Sequence, residues 1–498
     1  MDNFTLGSLY IGDTDGEYEA ERRNMENLYF DANNMYHDFM DNTLKFLIIG
    51  SKGAGKTYFA HYICKKKTSS QNYKIVSAKN FFSGINRSSE SFTTNRGYIY
   101  ELSRWLVLVQ VAKYILELHP YKAGFLVKSS IYRLHTFVCQ HDNLCMFKAS
   151  KSKTSSGWKC LFGAKFKKKI QEIGEGNISI EKLRELEFER TAFYEVLNAL
   201  EDLVIKSISQ NDDIMIFFDD LDDLENREML DNGSESVILN LIKYTKDFNK
   251  KVRNKGKMLR VAHIIRADII DRLQFYDSNL AKIKTSYGVE LYWLQNAKVT
   301  PETHPLMKMI IHKVKMSNDL FFEKPDIEVY EQLFPEQIEE REPLDFLISY
   351  SMGRPRDIVS FLNHAIKNHP EKSAFSATVM KSVKAEYADD FYAELLNQSY
   401  YHANSNFVKE CFSLLVDNKK ISFKLSEVKE CFDRNKERYP NIPNIESCLN
   451  FLYSMSAIGN TWKKTDTYYT TFAYRKDGAK NLDLRKKMVV HNGIKKKV

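Results

Sequence analysis

The sequence predicts an α/β fold in which helices cover both faces of a parallel sheet. Short β-rich runs alternate with helical patterns between residues 45 and 300, and such alternation is typical of parallel sheets. A glycine-rich stretch, GSKGAGKT (50–57), separates the first β-rich run from a helical pattern. A later run, IMIFF (214–218), leads directly into the aspartates of IFFDDLDDL (216–224). Because this run does not alternate, we expect a central strand that is buried on both faces.

Individual elements follow from periodicity and residue type. Residues 17–42 place Leu28, Met35 and Phe39 on one recurring face, which predicts a helix. The expected strands are 45–49, 73–78, 213–218, 258–265 and 289–294. Helices are expected at 56–67, 97–118, 178–207 and 234–248, and the pattern from 301 to 403 is helical throughout.

Length and composition predict a folded chain of several domains. The 498 residues exceed what one compact core usually holds, and 43% apolar with 28% charged residues is typical of globular proteins. We expect an N-terminal helical segment (1–44), a core (45–300) with an insertion at about 119–176, a helical lid subdomain (301–403) and a C-terminal domain (404–498).

The N-terminus and the cysteines predict a cytoplasmic protein. The acidic start, MDNFTLGSLYIGDTDGEYEAE, lacks the basic and apolar regions of a signal peptide. The longest apolar stretch (105–116) is interrupted by Gln110 and Lys113 and is too short to span a bilayer, so no membrane partner is expected. The 7 scattered cysteines form no C-x-x-C pair, which favours reduced thiols and argues against a structural metal.

The last hundred residues predict a winged-helix domain. Helices are expected at 406–416, 424–438 and 445–455, followed by a β-hairpin at 461–474 that turns near 464–466. Three helices and then a hairpin is the order of this helix-turn-helix variant. Residues 401–498 contain 19 Lys and Arg against 10 Asp and Glu, so this module holds the positive charge of the chain.

Two basic regions predict a nucleic-acid partner. The first is the winged-helix module, and the second is the stretch 148–169, which has eight lysines, no acids, and three aromatic residues. Trp158, Phe162 and Phe166 are those aromatic residues. The alternatives are a solvated lysine-rich tail and an exposed loop, respectively.

GSKGAGKT matches the pattern G-x-x-x-x-G-K-[ST] in its required context, after a strand and before a helix. Backbone N–H groups of such a loop face the phosphates of a nucleotide. Lys56 is expected to reach the β- and γ-phosphates of ATP, and Thr57 to bind Mg²⁺. The predicted nucleotide-binding residues are Gly50, Ser51, Lys52, Gly53, Ala54, Gly55, Lys56 and Thr57.

The aspartates of IFFDDLDDL predict the acidic part of the same site. Ligands of open α/β sheets bind at the carboxyl ends of the strands. The strand that contains IMIFF is expected to end at Asp219, beside the phosphate-binding loop GSKGAGKT (the P-loop). Asp219 would then hold Mg²⁺, directly or through water, and Asp220 would orient or deprotonate the attacking water. For Asp222 and Asp223 a supporting ligand or helix-cap role stands beside the alternative of surface turn carboxylates.

Three arginines are candidates for contact with the γ-phosphate. Arg266 follows the next predicted strand in HIIRADIIDRL (263–273). Arg272 lies farther along, where it would touch a neighbouring subunit's phosphate or serve as an ordinary surface arginine. In GRPRDIVSFLNHAIKN (353–368), Pro355 suits the first helical turn. Arg356, which the helix dipole disfavours at that position, would swing onto the nucleotide.

Taken in order, GSKGAGKT, IFFDDLDDL, HIIRADI and GRPRDI followed by a winged helix resemble AAA+-like ATPases of the origin-recognition and STAND/KAP type. More closely, the chain looks like a bacterial P-loop ATPase family with an acidic N-terminal G-x-x-x-A-E region and a C-terminal F-x-YR … hhH-x-G stretch. The resemblance covers nearly the whole chain apart from 119–176. It implies Lys56, Thr57, Asp219 and Asp220 as nucleotide and magnesium residues.

The resemblance also implies that Arg266 and Arg356 are sensor-like residues. Position 220 departs from AAA+ practice, because many members have glutamate there, and the shorter aspartate leaves the catalytic base open. Relatives of this kind are often encoded in bacterial anti-phage defence loci.

Two functions are therefore expected, with a P-loop kinase as a third and weaker alternative. The first is an ATP-hydrolysing oligomeric switch or motor that engages nucleic acid or a partner effector. The second is a STAND-like signalling scaffold, whose winged helix binds protein and whose ATP state controls a separately encoded effector. No nuclease or protease motif is recognised in the chain, which favours an external effector.

Overall fold

The computed structural model describes residues 4–78, 96–120, 129–141, 186–224, 236–294, 300–465, 467–476 and 478–498. The predictions for the basic stretch 148–169 lie outside these residues. The chain divides into two compact units. The first unit comprises Met1–Tyr36, Gly50–Tyr62 and Leu291–Val498, and the second comprises His37–Ile49 and Ile63–Glu290. The domain boundaries expected from sequence stay predictions.

The strands are β1 (Leu47–Gly50), β2 (Gln71–Ser77), β3 (Asp213–Asp219), β4 (Met258–Arg266), β5 (Gly288–Leu291), β6 (Ser422–Phe423), β7 (Ile458–Lys464), β8 (Thr467–Thr471) and β9 (Lys487–Val490). The helices up to residue 287 are α1 (Gly16–Ala20), α2 (Met25–Leu28), α3 (Met35–Met40), α4 (Lys56–Lys65), α5 (Arg96–Leu118), α6 (Ser130–His141), α7 (Leu186–Ser207), α8 (Val237–Asn254), α9 (Ala267–Leu273) and α10 (Asn279–Tyr287).

The later helices are α11 (Pro305–Ser317), α12 (Asp319–Phe322), α13 (Asp326–Leu333), α14 (Pro343–Tyr350), α15 (Pro355–Asn368), α16 (Ala377–Ser382), α17 (Lys384–Ser399), α18 (Ser405–Asp417), α19 (Leu425–Arg434) and α20 (Ile445–Ser454). Short 3₁₀ turns include Ala32–Asn34, Leu221–Leu224 and Asn492–Ile494. No helix in the described ranges combines the length and apolarity needed to cross a membrane.

A five-stranded sheet forms the centre of the second unit, in the order β2-β3-β4-β1-β5. Strands β2, β3 and β4 are parallel, and the apolar run Ile214–Phe218 of β3 is buried as expected. Its helices pack among themselves, with α5 against α7 and α8, and α8 against β4. The sequence therefore predicted the central strand correctly.

Strand β4 lies between β1 and β3 in the sheet, an order that the sequence did not predict. Residues Val261–Arg266 of β4 are buried, and a strand buried in this way needs neighbours on both edges to satisfy its backbone. β3 pairs along one edge of β4. On the other edge the His263 N–H donates to the Phe46 carbonyl oxygen at 2.8 Å.

The N-terminal segment is not the single helix expected over residues 17–42. Asp15 caps α1 by accepting hydrogen bonds from the Glu17 and Tyr18 N–H groups. The chain then breaks again at Asn33 and Asn34, whose φ angles are 60° and 57°. Such left-handed residues cannot continue a right-handed helix. The apolar face predicted for the helix is nevertheless buried.

The C-terminal part of the first unit contains the expected helices and hairpin. Helices α18, α19 and α20 precede the antiparallel pair β7–β8. Strand β9 was not expected, and it completes a four-stranded sheet in the order β6-β9-β7-β8. The 3₁₀ turn Asn492–Ile494 that follows β9 packs on α17. The assignment of these elements as a winged helix stays a prediction.

Candidate nucleotide-binding and catalytic site

The glycine-rich stretch forms a tight loop between β1 and α4. Gly50 is the last residue of β1, and Lys56 is the first residue of α4. Within the loop, the Lys56 Nζ donates to the Ser51 carbonyl oxygen at 3.0 Å, and the Ala54 N–H donates to the same oxygen at 3.1 Å. The loop therefore wraps around its own lysine at the start of a helix.

Two glycines are required by the backbone of this loop. Gly53 has φ +82° and Gly55 has φ +92°, values that L-residues with a side chain rarely adopt. A Cβ atom placed on Gly53 would lie 3.0 Å from the Arg356 Cβ, so the chain is packed tightly there. A Cβ placed on Gly55 would meet no atom of the described residues within 4 Å. Open space therefore lies beside Gly55, where a P-loop receives phosphates.

The carbonyl oxygens of Lys52–Ala54 are all bound by donors from the rest of the first unit. The Arg354 Nη1 donates to the first at 3.0 Å, and the Arg356 N–H donates to the second at 3.3 Å. The indole Nε1 of Trp293 donates to the third at 2.9 Å. Three consecutive peptide groups are thus held in a fixed orientation.

This orientation determines where the loop amides point. In a planar trans peptide the C=O of one residue and the N–H of the next point in opposite directions. The N–H groups of Gly53 and Gly55 therefore point away from Arg354 and Trp293. Amides that converge at the N-terminus of a helix attract anions. The geometry is that of a phosphate-binding loop.

Arg354 is a structural anchor that the sequence did not single out. Only 3% of the residue is exposed. Its Nε and Nη2 each donate to an Asp357 carboxylate oxygen at 2.8 Å, and its Nη1 also contacts the Gln398 Oε1 at 3.2 Å. Burial alone would lower the pKa of Arg354, but the paired Asp357 raises it above the ordinary value. The i,i+3 spacing of Arg354 and Asp357 in GRPRD was the available signal.

Arg356, near the start of α15, packs against Gly53 of the P-loop, and its guanidinium has protein partners. Its Nε donates to the Thr14 carbonyl oxygen at 2.9 Å. Its Nη1 lies 3.3 Å from the Glu394 Oε1, and the same carboxylate oxygen lies 3.1 Å from the Lys52 Nζ. Glu394 on α17 therefore joins the loop to the helical region. The contact of Arg356 with a nucleotide stays a prediction.

The second unit holds the acidic residues. Asp219 ends β3, and Asp220 follows with a left-handed φ of 57°, a conformation that aspartate adopts more readily than most residues. The Asp220 N–H donates to the Asp219 Oδ1 at 2.8 Å. Ser77, at the end of β2, donates its hydroxyl to the Asp220 Oδ2 at 2.7 Å. Both carboxylates are therefore oriented at the ends of strands.

Arg266 is the last residue of β4 and is only 4% exposed. Its Nε and Nη2 contact the two carboxylate oxygens of Asp268 at 3.1 and 2.6 Å, and its Nη1 lies 3.5 Å from the Asp222 Oδ2. Burial alone would lower the pKa of Arg266, but the paired Asp268 and Asp222 raise it above the ordinary value. Asp222 is thus an ion-pair partner and not a bare surface carboxylate.

Two further candidates remain as predictions. The side chain of Asp223 lies outside the described residues. Arg272 lies on α9, and its Nε is buried without a hydrogen-bond partner among the described residues. Its contact with the phosphate of a neighbouring subunit stays a prediction.

The side chains predicted to bind a metal offer oxygen donors. No group of three or more His, Cys, Asp or Glu residues that could hold a metal occurs within the described ranges. Mg²⁺ is usually bound by one or two carboxylates together with waters and substrate phosphates. The hydroxyl of Thr57 in the first unit and the carboxylate of Asp219 in the second are each an oxygen donor of the kind that Mg²⁺ takes.

Comparisons with known proteins find similarity to a family model and to a solved structure. Residues 304–396 match the family described as the FunZ-associated C-terminal helical domain. A solved Walker-type ATPase of Pyrococcus abyssi is 11% identical, with coverage of 94% of this chain and 98% of that chain and a TM-score of 0.34. No curated protein matches the sequence. Arg354, Arg356 and Glu394, which contact the P-loop, lie inside the residues that match the helical domain.

Proposed function

We propose that this chain is a Mg²⁺-dependent ATPase whose nucleotide state drives an oligomeric switch or motor. The observation that carries the proposal is the anchoring of the Lys52–Ala54 carbonyl oxygens, which directs the amides of Gly53 and Gly55 to the opposite side. An anion-binding loop built before the ligand arrives gains affinity, because little ordering is left to occur on binding.

Each residue has a definite part in the proposed reaction. Lys56 neutralises the β- and γ-phosphates, and the hydroxyl of Thr57 and the carboxylate of Asp219 serve as ligands of Mg²⁺. When bound, the metal ion offsets charge on the phosphate oxygens. Asp220 accepts a hydrogen bond from the attacking water and takes its proton. Ser77 holds the Asp220 carboxylate in one orientation through the 2.7 Å hydrogen bond.

The arginines take sensor-like parts. Arg356 lies within one side-chain length of the P-loop and shares Glu394 with Lys52, so an arriving phosphate would compete with Glu394 for both cations. Arg266 is held by Asp268 and Asp222. We therefore assign it to positioning the acidic residues in the first instance, with contact to the γ-phosphate requiring release from Asp268.

The proposed partners follow from the C-terminal elements. We assign α18–α20 and the β7–β8 hairpin to a winged helix and the helices of residues 301–403 to a lid. Nucleic acid, a separately encoded effector and further copies of this chain are the proposed partners. A role in bacterial anti-phage defence is the corresponding biological proposal, and the cytoplasm the corresponding compartment.

ATP binding and turnover test the enzymatic part. Lys56→Ala is expected to abolish measurable ATP binding and phosphate release, because the variant removes the cation that contacts the phosphates. Lys65→Ala is the matched control, since Lys65 is exposed at the other end of the same helix. Unchanged binding and turnover in Lys56→Ala, with the control also unchanged, would contradict the proposal.

The STAND-like scaffold is favoured by one specific observation. Helix α17 contains Glu394, which pairs with Lys52 and Arg356 at the P-loop. The same helix contains Phe391, whose ring stacks on His491 at 5.2 Å. One helix thus contacts both the P-loop and the residues after β9, so a change at the loop can reach the C-terminal elements.

The apparent mass of the protein in solution tests the hypothesis of a signalling scaffold. The apparent mass of the full chain is measured with ATP, with ADP and without nucleotide. A nucleotide-dependent mass supports control through assembly, and Glu394→Gln is expected to weaken that dependence because the variant loses both ion pairs. An identical mass in all three conditions argues against the scaffold.

A further inference from the structure

The positive charge of the C-terminal module is not evenly distributed. Residues 401–454 contain eight Lys and Arg against seven Asp and Glu, whereas residues 455–498 contain eleven against three. Helix α20, the third helix of the module, has Glu446 as its one charged residue. In helix-turn-helix proteins the recognition helix enters the major groove among phosphates. A helix without a single cation is poorly suited to lie among phosphates. The positive charge of the module therefore lies outside its third helix.

A pocket lies where the charge is concentrated. It has a volume of about 400 Å³ and lies between the β7–β8 hairpin and residues 475–486. Trp462 and Tyr469 line it from the hairpin, and Arg475 and Lys486 line it from the following segment. The volume is within the range of small-ligand sites. The wall thus combines aromatic rings with cations.

The aromatic residues form a platform. Trp462 and Tyr469 are directly paired across the two strands, and their rings are stacked with centroids 5.9 Å apart and planes at 18°. The Lys486 Nζ lies 4.1 Å from the Trp462 ring centroid. Tyr469 is 45% exposed, so an incoming planar group can reach its ring.

The acid in the pocket wall is already committed to protein partners. Asp483 accepts from the Arg485 Nε at 3.0 Å and Nη2 at 3.3 Å and from the Arg485 N–H at 3.1 Å. Its other neighbour is the Lys486 Nζ at 4.0 Å. These contacts hold the pKa of Asp483 below its ordinary value. Arg485, which makes the hydrogen bonds, is therefore the main counter-charge of this carboxylate, and Lys486 lies at the limit of an ion pair with it.

We propose that this pocket binds a nucleotide of single-stranded nucleic acid, with the base stacked on Tyr469, whose ring is supported by Trp462, and the phosphates contacting Lys486 and Arg475. Aromatic rings flanked by cations suit unpaired bases, because the faces of paired bases are covered by their neighbours in a duplex. This inference rests on the nucleic-acid partner given under the proposed function and specifies that partner as single-stranded. The binding itself does not depend on ATP hydrolysis.

The test measures binding of labelled oligothymidine, oligouridine and a duplex to the full chain by fluorescence anisotropy, without ATP and over a range of salt. Single strands are expected to bind at least tenfold more tightly than the duplex. Tyr469→Ala is expected to weaken single-strand binding roughly 5- to 150-fold. Lys486→Ala is expected to reduce the slope of log affinity against log salt by about 0.7.

Tyr468→Ala is the matched control. Tyr468 is the neighbouring residue on the same strand, so its side chain points to the opposite face, and it is 73% exposed. Its removal is expected to change affinity less than twofold. Equal losses in Tyr468→Ala and Tyr469→Ala, equal affinity for duplex and single strand, or the absence of binding to either oligomer at low salt would each overturn the inference.

The variant Lys56→Ala separates this inference from the proposed ATPase. If that variant loses ATP turnover but binds the oligomers as well as the unmodified chain does, both proposals are supported. If Lys56→Ala leaves turnover unchanged while Tyr469→Ala loses binding, the ATPase proposal fails and the single-strand site stands.

Discussion

Replacing Arg354 by alanine tests the anchoring of the P-loop most severely. The substitution removes two charge-assisted hydrogen bonds to Asp357, each 2.8 Å long, and the hydrogen bond to the Lys52 carbonyl oxygen. Asp357 is only 3% exposed and would retain the Met352 N–H at 2.8 Å as a donor. A buried carboxylate would thus lose its counter-charge.

The expected cost follows from these contacts. A hydrogen bond to a charged group contributes about 1.5–3 kcal/mol, and breaking a buried ion pair by removing one partner costs about 3–5 kcal/mol. We therefore expect Arg354→Ala to lower the free energy of unfolding by about 3–5 kcal/mol. The double variant Arg354→Ala/Asp357→Ala should cost less than the two single losses together, because no unpaired charge remains.

Urea denaturation followed by far-ultraviolet circular dichroism measures these changes. Arg434→Ala is the control, since the exposed Arg434–Glu430 pair at i,i+4 should contribute at most about 0.5 kcal/mol. Loss of less than about 1 kcal/mol in Arg354→Ala, or additive losses in the double variant, would refute the anchoring argument. ATP affinity should fall in parallel, because the Lys52 peptide loses its fixed orientation.

Three further predictions test other parts of the structure. Asp220→Asn should keep the fold, since asparagine tolerates its left-handed φ, but should lower phosphate release about 10²–10⁴-fold if Asp220 is the base; a rate within threefold of the unmodified chain would argue against that role. Gly53→Ala and Gly55→Ala should each cost about 1–2 kcal/mol of backbone strain, and thermal unfolding should show an additional loss at Gly53, where the new Cβ meets Arg356 at 3.0 Å; equal losses would contradict the tight packing there. Burial lowers the pKa of His491 to about 4, so the unfolded chain takes up the proton first as pH falls below about 6.5, and the free energy of unfolding should decrease by about 3 kcal/mol between pH 6.5 and 4. His491→Gln should remove this contribution in urea titrations at several pH values, while that of the buried His263, whose pKa is also lowered, remains; an unchanged slope would exclude His491 as a source.

Local features of this protein were predictable from sequence, and non-local ones were not. The P-loop and the β3–Asp219 junction are each determined within a few residues by glycine positions and an uninterrupted apolar run. The place of β4 between β1 and β3 depends on pairing between distant segments, which periodicity does not report. The helical pattern at 17–42 is divided into α1, α2 and α3, and the left-handed conformations of Asn33 and Asn34 account for the break before α3.

The candidate site shows the same division. Lys56 lies at the start of α4 as predicted, because its position follows from the loop itself. The bonds from Trp293 and Arg354 to the loop carbonyl oxygens join residues more than 200 positions apart in the sequence. Arg354 and Arg356 carry the same side chain within one GRPRD motif, and only the fold shows that the former is buried against Asp357. The ion pair of Arg266 with Asp268 likewise needed the geometry of the turn after β4.

The central claim is that the P-loop and the acidic residues serve one hydrolytic reaction. The most direct test is the rate of Mg²⁺-dependent ATP hydrolysis by Lys56→Ala, Asp219→Asn and the double variant. Residues that act as a unit show strongly non-additive effects. Each single variant should therefore lose nearly all turnover, and the double variant should be no slower than the slower single variant. Turnover that survives in either single variant, or a double variant slowed by the product of the two effects, would contradict it.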